Sequence, residues 1–252
     1  RDLHSFLHDA LPIWDFRLPG GQGVAVAAGM GQAAARAAFA WVAEKFQPEM
    51  VLAVGFGGAV LPAPAPGEVV LGLAFFAYDP SGPGLEAILL PSLPPQTASL
   101  PEQAARRGLR LTPGTLVSTP EIMNKVQLRA LLKGLPAPVV DLESAVLARL
   151  AREQGLPFLA LRAITDGGGE EIPGFIKTAV RQGKTPTPFT ALGWLRGDPR
   201  RLRHLSRLWH RSRRAAAALA GVLEVVVEVF WGEGREVGDP PSSPRTPLPN
   251  PP

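Results

Sequence analysis

The chain has 252 residues, 46% of them apolar and 19% charged, a composition that suits one globular domain with a sizeable core. It contains no cysteine, which excludes disulfides, thiolate metal sites and a cysteine nucleophile. The net charge is +4 and the pI near 9.9, so an anionic partner has to be weighed against where the basic residues stand.

Residues 1–14 have no clear period, and Ser5 to Ile13 resembles translated adapter DNA, so residues 1–15 are read as a non-native or disordered leader. No signal peptide is visible, because Arg1-Asp2-Leu3-His4 opens without an apolar run, and a cytoplasmic location is expected. A single domain is expected over residues 16–231. It begins with a hairpin: Phe16-Arg17-Leu18, a Pro19-Gly20-Gly21-Gln22 turn, then Val24 to Ala27. Gly29-Met30-Gly31 breaks that strand, and an alanine-rich helix runs to about Phe46. Val51 to Val54 is a short apolar strand ending in Gly55-Phe56-Gly57-Gly58. Further strands fit Glu68–Leu73, Glu86–Leu90, Thr115–Ser118 and Pro138–Val140.

A helix then spans about Glu143 to Gln154, and Phe158 to Ile164 reads as a buried strand. Asp198-Pro199 opens a last helix that reaches about Leu223 and could continue to Phe230. On it Arg200, Arg201, Arg203, Arg207, Arg211, Arg213 and Arg214 alternate with Leu202, Leu205, Trp209, Ala216 and Leu219. That is an apolar stripe with a basic outer face. No aromatic residues interleave on that face to stack bases, so a solvated surface is expected and no nucleic-acid partner. Leu219 to Trp231 carries Glu224 and Glu228 and is no membrane span. Residues 232–252 are rich in Gly, Pro and Ser and are expected to be a disordered tail.

Strands that alternate with helices and are apolar on both faces imply an α/β domain, a mixed central sheet flanked by helices on both sides. Ligands collect at the carboxyl ends of strands in such sheets. The glycines at 55–58, Glu143 and Asp166 are all expected at such ends. Two carboxylates converging there suit cleavage of a glycosidic bond, one protonating a leaving group while the other grips the sugar. Each also has a plain structural reading: Asp166 as a turn residue before Gly167-Gly168-Gly169, Glu143 as a first-turn helix acid. Asp141 reads as the N-cap of that helix and Arg162 as structural; Phe75, Phe76 and Tyr78 could stack on a base but read first as core. His204 and His210 lack metal-ligand spacing, so no metal is expected.

Taken in order, several segments resemble the purine nucleoside phosphorylase and nucleosidase superfamily over residues 16–223. They are Ala28-Gly29-Met30-Gly31, Gly55-Phe56-Gly57-Gly58, Pro66-Gly67-Glu68-Val69-Val70, Val140-Asp141-Leu142-Glu143-Ser144-Ala145 and Arg162-Ala163-Ile164-Thr165-Asp166. The nearest branch looks like the methylthioadenosine/S-adenosylhomocysteine nucleosidases and a hopanoid-associated relative. The resemblance implies that Asp166 is the general acid on purine N7 and that Glu143 accepts hydrogen bonds from the ribose 2′ and 3′ hydroxyls. It places Leu142 under the sugar, Gly57 and Gly58 beside the attacking water or phosphate, and Ile122 at the base edge. It implies no cofactor, a small nucleoside as partner, and a homodimer.

Three departures stand out. The family's first strand, with the glutamate that activates water, has no counterpart, so an N-terminal strand is expected to be missing. Gly55-Phe56-Gly57-Gly58-Ala59 lacks the family's hydroxyl near the nucleophile, which points toward the hopanoid-associated branch; no arginine marks a phosphate loop, which favours hydrolysis over phosphorolysis. The alternatives are a futalosine hydrolase-like enzyme, whose branch looks to carry asparagine at the place of Asp166, and a catalytically inactive nucleoside-binding module.

Overall fold

Two apolar strands, Val51–Ala59 and Phe158–Asp166, lie parallel at the centre of the molecule. The computed structural model describes residues 12–18, 21–82, 84–90, 93–168, 172, 174–181 and 199–232. In chain order the strands are β1 (Ile13–Leu18), β2 (Gly21–Val26), β3 (Val51–Ala59), β4 (Val69–Asp79), β5 (Gly84–Ala87), β6 (Leu111–Ser118), β7 (Pro138–Asp141) and β8 (Phe158–Asp166). The helices are α1 (Gln32–Phe46), α2 (Leu100–Arg106), α3 (Lys125–Leu132), α4 (Ser144–Glu153), α5 (Gly174–Arg181) and α6 (Pro199–Trp231).

β1 and β2 form the expected hairpin, but it starts earlier than the sequence suggested. Ile13, Trp14 and Asp15, assigned to the leader, pair with Val26, Ala25 and Val24. The boundary at residue 16 is therefore moved back to 13. Residues 1–11 and 233–252 lie outside the described residues.

The six remaining strands form one mixed sheet in the order β5-β4-β6-β7-β3-β8. β4, β6 and β7 run parallel to one another; β3 and β8 run together in the opposite sense. β4 also pairs antiparallel with β8 through Val69↔Ala163, Val70↔Arg162 and Leu71↔Leu161, so the sheet closes on itself. Alternation along β8 supplies both layers of the core. Phe158, Ala160 and Ile164 face Phe39 of α1 and Ala145, Ala148 and Ala151 of α4. Leu159, Leu161 and Ala163 face Leu100 and Ala104 of α2 and Ala215, Leu219, Val222 and Val226 of α6. The small residues on α4 let it sit close to the sheet, and Phe158 meets Phe75 edge-on at 5.2 Å. Truncating a buried ring of this kind costs about 3–5 kcal/mol.

Three readings of local structure change. The glycines at 55–58 belong to β3 and do not end it, because that stretch is paired with β8 and, at Gly58, with β7. The strand expected at 86–90 is placed at Gly84–Ala87 as the return of a hairpin from β4. Trp209, assigned to the apolar stripe of the last helix, is 55% exposed, with the Arg213 guanidinium 4.9 Å from its ring centroid. No helix among the described residues is long and apolar enough to cross a membrane. Among the described residues there is also no cluster of potential metal ligands.

Candidate active site

The end of β8 is held from three directions. Thr165 donates its hydroxyl to Asp166 Oδ1 at 2.8 Å, and Lys125, the first residue of α3, forms an ion pair with Oδ2. The third neighbour is the bare backbone of Gly58, register partner of Asp166. A Cβ on Gly58 would lie 2.8 Å from Oδ2, so glycine is needed here for space. The Lys125 ammonium also donates to Gly167 O at 2.6 Å and to Asp166 O at 3.4 Å. One turn along α3, Arg129 donates to Gly168 O at 2.8 Å. The Lys125 and Asp166 side chains are only 12% and 8% exposed, so the pair stands in a largely dry environment.

Glu143 occupies the N-cap position of α4, between β7 and the helix. Its Oε1 accepts the Gly31 N–H at 2.6 Å, and Oε2 accepts the Leu142 N–H at 3.3 Å. Gly31 itself caps α1 with φ of 93°, a conformation that favours glycine. Burial pushes the Glu143 carboxyl above its ordinary value, and the nearby Asp141 carboxylate pushes the same way. The Gly31 N–H and the Arg162 guanidinium oppose that rise.

Beneath these groups lies a buried polar knot. Arg162 Nε donates to Asp141 Oδ2 at 2.6 Å, with side chains 3% and 1% exposed. Asp141 also accepts the hydroxyls of Ser118 and Ser144 and the Ser144 N–H at 3.1 Å. Ser118 Oγ in turn accepts the Ala145 N–H at 2.8 Å. Arg162 is structural, as read from the sequence. Asp141 caps the helix through the Ser144 N–H, although it is the last residue of β7 and Glu143 holds the N-cap position.

The register relates the two acids. Gly58 pairs with Asp166 on one side and with Val140 on the other. At strand spacings of about 4.8 Å, the backbones of Asp166 and Val140 are roughly 10 Å apart. β7 runs antiparallel to β3, so it reaches Asp141 in the sense opposite to that in which β8 reaches Asp166. Both acids stand at carboxyl ends of strands, as expected, Asp166 as the last residue of β8 and Glu143 two residues past the end of β7, although the two strands run in opposite senses. β3 stands between β7 and β8 in the sheet, and the Asp141–Arg162 pair bridges the two strands.

Of the other expected residues, Gly57 packs where a Cβ would meet Val139 Cγ1 at 2.5 Å, and Leu142 is half-buried beside Glu143. Ile122 is half-buried on the β6–α3 loop, three residues before Lys125. Phe75 is core, as read, and Phe76 and Tyr78 pack against the Val60, Val117, Leu128 and Leu132 cluster. A cavity of about 230 Å³ is lined by Leu73 to Phe76, Ala87 to Leu90 and Leu93, and holds neither acid. Lys125 went unnoticed in the sequence. The one local signal was Asn124, which accepts the Val126 N–H at 2.8 Å and caps α3, leaving a cation in the first turn where the helix dipole disfavours it.

A family model described as the Phosphorylase superfamily matches residues 6–185 of the chain. The 5′-methylthioadenosine/S-adenosylhomocysteine nucleosidase of Geobacillus kaustophilus strain HTA426 is 26% identical over 181 residues, covering 66% of this chain and 77% of the relative. That of Actinobacillus succinogenes strain ATCC 55618 is 26% identical over 159 residues, covering 59% and 69%. A solved nucleosidase of the same name from Colwellia psychrerythraea 34H, in complex with adenine, superposes with a TM-score of 0.60 at 17% identity, covering 90% of this chain and 86% of that one. The futalosine hydrolase of Helicobacter pylori strain 26695 superposes at 0.57 with 14% identity, covering 88% and 91%.

Proposed function

The chain belongs to the phosphorylase superfamily and is an enzyme; from that premise we propose that it cleaves the N-glycosidic bond of an adenine nucleoside carrying a modified 5′ group. The observation that carries the reading is the setting of Asp166, a nearly buried acid at a strand end with Gly58 cleared beside it. The names of the two curated relatives supply the adenine nucleoside and its 5′ substituent.

As the N9–C1′ bond stretches, its electron pair moves into the purine and the sugar becomes oxocarbenium-like. Asp166 delivers a proton to N7, so that the base leaves neutral, a contribution on the order of 10²–10⁴-fold. A carboxylate offers only acceptors to the base edge once that proton has gone. It therefore matches a 6-amino purine and leaves a 6-oxo group without a donor. Glu143 accepts hydrogen bonds from the 2′ and 3′ hydroxyls, and its negative charge stabilises the developing cation. Its raised carboxyl means that sugar binding and ionisation reinforce each other, because hydroxyl donors favour the charged form. Leu142 lies under the ribose, the backbone of Gly57 and Gly58 stands beside the nucleophile, and Ile122 flanks the base.

Water is the proposed nucleophile, and the working form is a homodimer. Release of adenine from methylthioadenosine and S-adenosylhomocysteine, and of hypoxanthine from inosine, each with and without phosphate, tests the reading. Base release from the first two without phosphate is expected. Release that requires phosphate would overturn the choice of water, and release from inosine alone would overturn the adenine preference.

A further inference from the structure

We infer that Lys125 is a positioning residue that acts through Asp166, holding its carboxylate in place and supplying the proton that leaves on the purine. The inference deepens the proposed function and rests on the role given there to Asp166.

Nothing about α3 itself calls for a lysine at its first position. A cation in the first turn opposes the helix dipole, and the cap is supplied by Asn124. The ammonium donates to Gly167 O and Asp166 O and stands against Asp166 Oδ2 as an ion pair, an oxygen that accepts no hydrogen bond among the described residues. These contacts all fall on residues 166 and 167, so the influence of Lys125 passes through Asp166. With the Thr165 hydroxyl on Oδ1 and the backbone of Gly58 behind, the carboxylate is fixed in rotation.

The proton count closes with the pair as donor. The pair begins as ammonium and carboxylate. The N9–C1′ bond breaks with its electrons entering the purine, while the ammonium proton moves to Asp166 and from there to N7. The oxygen of water bonds to C1′ and releases a proton to solvent. The amine left on Lys125 takes a proton back from solvent before the next turnover.

A purely structural reading makes Lys125 a strap that ties the 166–168 turn to α3. Arg129 is such a strap, bonded to Gly168 O without touching the carboxylate, and so serves as the control. Lys125→Met, Lys125→Arg and Arg129→Met are compared on methylthioadenosine and on 4-nitrophenyl riboside, whose leaving group departs as a stable anion without protonation. Both Lys125 variants are expected to lose about 100-fold in kcat on methylthioadenosine with little change in KM, and to stay within about threefold of wild type on the nitrophenyl substrate. Arginine keeps the charge but cannot surrender the proton, so it does not rescue. Arg129→Met is expected to leave the ratio of the two activities unchanged.

Equal losses on both substrates, or full rescue by arginine, would make Lys125 a strap and overturn the inference. The arginine variant decides the matter if the methionine variant melts early. Wild-type protein that releases no base from any nucleoside overturns the functional reading instead, whereas wild-type turnover with undiminished Lys125→Met overturns only the role of Lys125.

Discussion

Gly58→Ala presses most directly on the placement of Asp166. The added Cβ would sit 2.8 Å from Asp166 Oδ2, 3.3 Å from Oδ1 and 3.4 Å from Cγ. Ordinary contact begins near 3.4 Å, so the Oδ2 contact falls short by about 0.6 Å, the difference between 3.4 and 2.8. The carboxylate cannot swing clear without leaving Thr165 or Lys125, which hold its two oxygens. The acid therefore shifts by a few tenths of an ångström, and a misplacement approaching 1 Å costs up to about 10²-fold in rate. A fall in kcat of roughly 10- to 100-fold is expected, with strain of about 1–3 kcal/mol in stability. Adenine release measured by chromatography gives kcat and KM, and a thermal melt gives the stability. Gly57→Ala is the contrast: its Cβ meets Val139 Cγ1 at 2.5 Å, so the folding energy suffers first. Wild-type kcat in Gly58→Ala would refute the argument that the bare backbone exists to seat Asp166.

Three further substitutions probe the other groups. Asp166→Asn keeps the shape and removes the proton donor; base release should fall by at least about 100-fold while the circular dichroism spectrum is unchanged, and unaltered turnover would remove the residue from the mechanism. For Glu143, whose folded value is raised above 4.5, the folded protein keeps a proton that the unfolded chain has lost. That contribution is fully present below pH 4.5 and is lost as pH rises toward the raised value. Glu143→Gln, which does not titrate, should thus gain stability over wild type across that window, by about 1.4 kcal/mol per pH unit spanned. It should also lose roughly 100-fold in kcat/KM through the weakened hydroxyl contacts; a stability difference flat with pH would contradict the burial argument. Arg162→Met strands the Asp141 carboxylate in the core and should cost about 3–5 kcal/mol, read as a melting temperature lower by roughly 6–20 °C. A change of only a degree or two would show that the pair is not what holds β7 to β8.

What could be read from the sequence follows the range of the interactions. β8, α1 and α4 were legible because their apolar residues follow the pattern of the element. A continuous apolar run such as Phe158 to Ile164 needs no partner to be recognised as buried. The glycines at 55–58 were misplaced as a strand end, since glycine ordinarily interrupts strands. Only the neighbours Val139 and Asp166, which leave no space for a Cβ, explain why glycine persists inside β3. The closure of β4 on β8 and the opposed direction of β7 depend on pairings that no local pattern encodes. Lys125 escaped notice for the same reason, its partner lying 41 positions away. Trp209 was set in an apolar stripe by period alone, whereas its ring lies outside under Arg213.

Asp166 and Glu143 are proposed to grip opposite ends of one nucleoside, and a crystal structure of Asp166→Asn with bound methylthioadenosine measures that directly. The expected complex has the residue-166 side chain within about 3.2 Å of purine N7 and a Glu143 oxygen within the same distance of the 2′ or 3′ hydroxyl. A nucleoside bound elsewhere, or one that reaches a single acid and leaves the other facing protein, would contradict it.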